Sequence, residues 1–278
     1  MSDLARVHQA LLKWYARQAR DLPWRRTRDP YAILVAEVML QQTQVDRVIP
    51  KWYAWLERFP TLAELAAASR GDAIRAWEGL GYNLRALRLH AIACQTVADF
   101  GSELPRSVDG LLRLKGIGRY TAGAVACFAY EQPVAMVDTN VRRVLSRVFG
   151  VEASKVEAMA QSVIPVSSAY AWNQALMDLG ATLCRARQPL CLVCPLLSEC
   201  GGPRAAAPKT RPAGEFQGSN RYFRGRILDE LRHTDGVPLS ELAARNGNRR
   251  DLIDRLAAEG FIKISIELDA AETVRLAD

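Results

Sequence analysis

The chain has 278 residues, 49% hydrophobic and 24% charged, a composition that excludes long disorder, collagen and coiled-coil fibres and suits one large domain or two. Its net charge of +7 resides mostly on Arg and permits a polyanionic partner without requiring one. No run of about 18 apolar residues occurs and the N-terminus lacks an apolar signal core, so the expectation is no membrane and a cytoplasmic protein, nucleoid-associated in a bacterium.

In chain order, the first 200 residues read as about ten helices with short, Gly- or Pro-marked connections. Ser2 caps a first helix running to about Arg20. Asp29-Pro30 opens PYAILVAEVML, with Pro at the first helical position. Thr43 is the expected cap of the next helix. Thr61-x-x-Glu64 has the capping-box pattern, and Ser69-x-x-Asp72 is a weaker version of it. A long helix follows Tyr82 and ends near Gly101. Ser107 caps a short one to about Arg113. Residues 119–130, 139–149, 154–163 and 170–183 read as four more. Residues 203–216, rich in Pro, Ala and basic side chains, form a linker. Beyond it, over 217–278, come three short helices and two strands, FIKISIEL and TVRLAD, the outline of a small α+β winged-helix-like module.

Six cysteines fall into two groups. Cys94 and Cys127 lie in apolar helical stretches and read as buried small hydrophobes. Cys184, Cys191, Cys194 and Cys200 crowd into C-x6-C-x2-C-x5-C, and a cytosolic setting disfavours disulfides. Only one C-x2-C hook is present where structural zinc usually has two. Uneven spacing, with Pro directly after the third Cys, favours a [4Fe–4S] cluster over zinc.

In LRLKGIGRYTAGA, Gly116 and Gly118 separate a short helix from a longer one. Glycine there permits positive φ and close backbone approach, and the amides opening the next helix can hold a phosphate oxygen. That is the pattern of a helix–hairpin–helix element, though an ordinary helical corner gives the same residues. Lys115 at the turn reads as a phosphate contact. Just beyond, Val137-Asp138-Thr139-Asn140 opens a helix. Asp138 is both a good N-cap and a carboxylate able to serve a cleft. Glu37 sits in a nearly all-apolar helical stretch. If buried, it needs a partner or a job, and burial raises its pKa as a general acid requires; a solvent-facing Glu is the alternative. One raised and one ionised carboxylate across a sugar is an arrangement that cleaves glycosidic bonds.

The segments LPWRRTRDPY, EVMLQQTQV, FPTLAELA, GLGYNLRALRLH, LKGIGRYTAGAV, VDTNVRRVLSR, NQALMDLGATLC and the four-Cys loop stand in one order over roughly residues 10–200. Together they resemble the helix–hairpin–helix DNA glycosylase superfamily, and within it the MutY-type adenine DNA glycosylases. The resemblance implies an all-α, two-lobed body: an iron–sulfur lobe of residues 1–21 and 135–202, and a six-helix barrel lobe of residues 22–134 with the helix–hairpin–helix at 108–124. It implies a monofunctional base-excision enzyme that hydrolyses the N-glycosidic bond of adenine mispaired with G or 8-oxoguanine. Its partner would be double-stranded DNA with a mismatched or damaged pair, flipped at the target base, bound by a monomer.

On this resemblance Glu37 protonates the adenine ring, Asp138 stabilises the oxocarbenium-like sugar and Asn140 helps position the catalytic groups or water. Tyr120 stands where the endonuclease III branch carries a Lys nucleophile, and a phenol forms no Schiff base. Gln41, Gln42 and Tyr82 match residues that enter the duplex. Trp24 and Asp178 match positions near the base pocket, with core roles equally open, and Arg142, Arg143 and Arg147 read as a solvated face or phosphate contacts. Fuller family members carry a larger β-rich C-terminal domain that recognises 8-oxoguanine, whereas 78 residues follow Cys200 here. Thymine, uracil or hypoxanthine excision is therefore the alternative substrate reading, and a non-enzymatic iron–sulfur DNA-binding regulator the alternative of another class.

Overall fold

The computed structural model describes residues 3–202, 215–266 and 272–278. Most of the predicted linker, residues 203–214, lies outside the described residues, as do the predicted cap Ser2 and the end of the first predicted strand, Glu267 and Leu268. The first helices are α1 (Leu4–Gln18), α2 (Pro30–Leu40), α3 (Val45–Arg58), α4 (Leu62–Ala67), α5 (Arg70–Ala76) and α6 (Leu84–Phe100). They are followed by α7 (Val108–Leu112), α8 (Arg119–Tyr130), α9 (Thr139–Phe149), α10 (Val156–Ser162) and α11 (Ala169–Thr182). The C-terminal module is α12 (Asn220–Arg232), β1 (Val237–Pro238), α13 (Leu239–Arg245), α14 (Arg250–Ala258), β2 (Ile262–Ile266) and β3 (Glu272–Leu276).

Local chemistry explains most of the boundaries. Thr61 and Glu64 form a reciprocal capping box on α4, and the Ser69 and Ser107 hydroxyls cap α5 and α7. Gly101 and Gly150, both left-handed, end α6 and α9. Three expectations are corrected. Thr43 does not cap α3: the cap position is Gln44, without a side-chain bond, and the Thr43 hydroxyl instead accepts from Arg85. The module has three strands, because the two-residue β1, too short to show a periodicity, pairs with β3. Cys94 is exposed, with its thiol turned to the Ala66 carbonyl, while Cys127 is buried as expected.

Contacts divide the chain into two compact units. The first comprises Met1–Glu37, Pro105–Arg113 and Ile117–Thr210. Its core joins Val7 and Leu11 of α1, the buried face of α9, and Trp172, Leu176 and Leu179 of α11, with Cys184, Cys194 and Cys200 packed on its edge.

The second unit comprises Val38–Leu104, Leu114–Gly116 and Arg211–Asp278. Trp55 and Trp77 meet edge to face there, with ring centroids 5.4 Å apart. The module has the winged-helix order α-β-α-α-β-β, with an antiparallel sheet β1-β3-β2. Its core takes in Ile74 of α5. The Gly71 amide donates to the Ala277 carbonyl at 2.7 Å, and Arg232 bonds the Ile74 carbonyl and Asn83. A side chain at residue 71 would collide with that strand end, since a Cβ would lie 2.9 Å from the Ala277 oxygen. The module is thus seated on α5 as part of one body. Among the described residues no helix is long and apolar enough to cross a membrane.

Candidate active site

Asp29 starts α2 by accepting from the Tyr31 amide at 2.9 Å, and Tyr31 through Met39 are then all buried. A helix buried all round normally carries only apolar side chains. Glu37 breaks that rule at 6% exposure. Burial, helped by the charge of Asp138, pushes its carboxyl from 4.5 up to about 7, against a hydrogen bond with Tyr120 and the more distant charge of Arg25. Tyr120 is half-buried, but its hydroxyl is at the enclosed end. Burial, with Glu37 and Asp138 adding, holds the phenol well above its usual range, so it stays neutral and can donate.

Asp138 is the N-cap of α9, and its Oδ1 accepts from the Val141 amide at 2.6 Å. Its Oδ2 accepts from Asn140 Nδ2 at 3.3 Å. The cap fixes the carboxylate at the positive end of the helix dipole. Asn140 is fixed in turn, its Oδ1 accepting from Arg143 at 2.7 Å. Gly180 of α11 permits this approach, because a Cβ there would lie 2.6 Å from that of Asn140. Glu37, Tyr120, Asp138 and Asn140 all belong to the first unit, and electrostatics couples the first three directly.

Asp178 is fully buried in α11 and paired. Arg25 grips it with two bonds of 2.8 Å, and Arg20 adds its side chain at 2.6 Å and its amide at 3.0 Å. Despite burial, these partners hold its carboxyl below the usual range. Trp24, buried in the short 3-10 turn Pro23–Arg25, lies between these arginines in sequence. Arg25 stands in LPWRR and Arg20 just before it, but their pairing with Asp178 spans more than 150 residues and leaves no local signal.

The second unit holds Gln41, Gln42 and Tyr82, all exposed. Gln42 and Tyr82 have φ of 57° and 47°, a left-handed conformation uncommon outside glycine. Arg85, buried at 4% exposure, holds both loops. Its terminal nitrogens donate to the carbonyls of Val38, Met39 and Gln41 on one side and of Leu80 and Gly81 on the other. It thereby satisfies carbonyls that the end of α2 leaves open. Burial lowers its pKa to about 10, so it remains charged at neutral pH.

At the hairpin, Gly116 has φ of 103°, as anticipated. Gly118 does not: it is extended at φ −93°, the cap of α8 without a side-chain bond, and a Cβ there would meet open space. It leaves the start of α8 unobstructed and is not a left-handed turn. Lys115 is exposed, and its amide donates to Gln95.

The four loop cysteines are free and partly exposed; burial first, and then the neighbouring thiols, push the Cys194 and Cys200 thiols up. Arginines of α9 surround them. Arg143 donates to the Cys184 carbonyl at 2.7 Å, and Arg147 to Cys184 Sγ at 3.4 Å and the Arg185 carbonyl at 2.8 Å. Arg142 pairs with Glu157. Arg143 and Arg147 thus pin the cysteine loop, while Arg142 stays in a partly exposed surface pair. Among the described residues, no three His, Cys, Asp or Glu side chains converge on one metal ion.

Comparison with known proteins agrees with this geometry. Residues 35–165 match the family model of the HhH-GPD superfamily base excision DNA repair proteins. An adenine DNA glycosylase of Mycolicibacterium smegmatis is 43% identical over 272 residues, covering 91% of each chain. The solved structure of a thermostable thymine-DNA glycosylase is similar at a TM-score of 0.68 and 29% identity, over 71% of this chain and 94% of the other. A non-covalent endonuclease III–DNA complex matches at 0.62 and 25%, over 72% and 96%. The chain belongs to the adenine DNA glycosylases of the HhH-GPD base excision repair superfamily.

Proposed function

We infer that the protein is a monofunctional adenine DNA glycosylase, acting as a monomer on double-stranded DNA in which adenine is mispaired with G or 8-oxoguanine. The observation that carries this reading is the pair of unlike carboxylates: Glu37 buried with its pKa raised to about 7, and Asp138 fixed at a helix start. A carboxyl near pH 7 is matched to donating a proton. Glu37 gives its proton to a ring nitrogen of the flipped adenine, which turns the base into a better leaving group. Positive charge then develops on the sugar, and the Asp138 carboxylate, held by Val141 and Asn140, stabilises it. Asn140 holds Asp138 on one side and is held by Arg143 on the other, which suits it to position the carboxylate or the attacking water. Tyr120 offers a neutral hydroxyl to Glu37 and no amine, so after adenine leaves the sugar C1′ takes up water without forming a covalent imine, and the strand is not cut. Trp24 and the Arg25–Asp178 pair form the wall of the base site. Gln41, Gln42, Tyr82, Lys115, Gly116 and Gly118 contact the DNA.

Cys184, Cys191, Cys194 and Cys200 would hold a [4Fe–4S] cluster. The donor set fits: Cys194 feels the other three sulfurs and Cys200 feels Cys184 and Cys191, with Arg147 donating to Cys184. A cube of irons takes one thiolate at each separated corner, so its ligands need not converge on one point as zinc ligands do. When bound, the cluster would supply structure, shaping the loop that Arg143 and Arg147 already pin.

The test is single-turnover excision from duplexes holding A opposite 8-oxoguanine, A opposite G, or T opposite G, with and without alkali. Adenine release with strand breaks only after alkali is expected, and Asp138→Asn should lose it by about 10³-fold or more while still binding duplex. Thymine release, or cutting without alkali, would overturn the reading.

A further inference from the structure

Within the second unit, α12 of the C-terminal module faces the Gln41–Gln42 and Gly79–Tyr82 loops across a cleft of about 840 Å³. That volume falls in the range that holds a small organic ligand. Its charges are unevenly matched. Two of the three carboxylates lining it face a cation, Glu259 meeting Arg224 and Asp229 meeting Arg232, while Glu78 lies 3.4 Å from the His233 ring. Among the described residues, Arg47, Arg88 and Arg221 on the same walls have no carboxylate partner. Two exposed aromatic rings border the cleft, Tyr82 at 43% and Phe216 at 57%. The Arg221 guanidinium lies 4.5 Å from the centre of the first ring and 5.4 Å from that of the second. Unpaired guanidiniums, exposed aromatic faces and the Gln41 and Gln42 amides are complementary to a nucleotide: phosphate on the first, base plane on the second, base edge on the third. The loops are set in strained backbone and clamped by Arg85, as a preformed site requires.

By contrast, the arginines at the start of α14, which stands where a winged helix usually reads DNA, are paired. Arg249 pairs with Asp251, and Arg250 with Asp254 and Glu272. On that helix Arg255 is the arginine outside these pairs, whereas the cleft walls carry Arg47, Arg88 and Arg221.

We propose that the C-terminal module grips the DNA substrate through this cleft, with Phe216 and Arg221 joining Tyr82, Arg47 and Arg88 to hold one nucleotide of the strand. The proposal rests on the glycosylase reading only for the identity of the substrate. A free nucleoside phosphate has the same chemistry, and the test separates the two sources.

Duplex affinity is measured on the full chain carrying Asp138→Asn, as a function of salt, with Arg221→Ala, Phe216→Ala and Arg221→Lys added singly. Lys263→Ala, on β2 and paired with Asp278, is the control. Arg221→Ala should weaken binding about tenfold and lower the slope of log K against log salt by about 1, the signature of a lost phosphate contact. Phe216→Ala should weaken binding about fivefold at unchanged slope, as a lost stack does. Arg221→Lys should restore the slope. Deoxyguanosine monophosphate at millimolar concentration should not displace duplex. Melting curves of all variants should superimpose, since both side chains are exposed. Unchanged affinity and slope in both alanine variants would overturn the proposal, as would displacement by the mononucleotide. Loss of binding only with a lowered melting point, unrestored by Lys, would also overturn it. If the chain with Asp138 intact excises no adenine yet the duplex affinity of the Asp138→Asn chain depends on Arg221, the function reading fails and the cleft stands.

Discussion

Glu37 and Asp178 are both carboxyls buried in helices of the same unit, and their surroundings could hardly differ more. Asp178 receives four hydrogen bonds, three from two guanidiniums, and is held ionised below the usual range. Glu37 has a phenol and no cation bonded to it, and is pushed up to about 7. A buried charge that is fully paired is scaffold; one left short of partners is kept for its proton. The two also make stability respond to pH in opposite ways. The Asp178 contribution is present above the unfolded value of 3.8 and is lost as pH falls through its lowered folded value. Glu37 binds a proton more tightly folded than unfolded, so it withdraws stability as pH rises from 4.5 to about 7.

The sharpest way to break this contrast is Glu37→Gln. Excision should fall by about 10²–10⁴-fold, the usual worth of a general acid. The same variant should be more stable than the parent at pH 8, on the order of 2–3 kcal/mol, and close to it at pH 4. Equal melting points at pH 8 would mean that Glu37 is not strained by burial. In the parent, excision should decline as pH rises through about 7.

Asp178→Asn should act the other way round. It strands two guanidiniums, one of them only 8% exposed, and should cost about 3–5 kcal/mol, read as a fall in melting temperature on the order of 10 °C. Gly180→Ala comes next. The new methyl must displace Asn140, so about 1–3 kcal/mol of stability should be lost together with part of the excision rate. A change in rate without one in stability would place Asn140 outside the packing argument. Smallest is Tyr120→Phe. The Tyr120 bond lowers the Glu37 pKa, so its removal should move the alkaline limb of the pH–rate profile to higher pH; movement to lower pH would reverse the assigned role.

Much of this was legible in the sequence because it is local. The bounds of α8 and α9 follow from Gly118, Asp138 and Gly150, residues whose conformational habits act within a turn. The carboxyl in an all-apolar helix was conspicuous, as was the cysteine spacing. What the sequence could not carry is the long-range use of arginine. Arg25 meets Asp178 across 153 residues, and Arg85 meets the end of α2 across 44–47. Guanidinium partners here are mostly backbone carbonyls, which leave no compositional trace. The same blindness made Thr43 look like a cap when Arg85 had claimed its hydroxyl.

Arg85 has one more consequence, and it concerns time. Most DNA-contacting loops lose conformational freedom when they bind, and each ordered residue then weakens association by about 1–2 kcal/mol. Here one guanidinium bonded to five carbonyls and a hydroxyl holds residues 38–43 and 80–81 in place as the chain folds. That loss is taken once, at folding, and, on the proposed role of these loops, not at every encounter with DNA. A repair enzyme that must test very many undamaged base pairs for each lesion can then touch and release each one without waiting for a loop to rearrange.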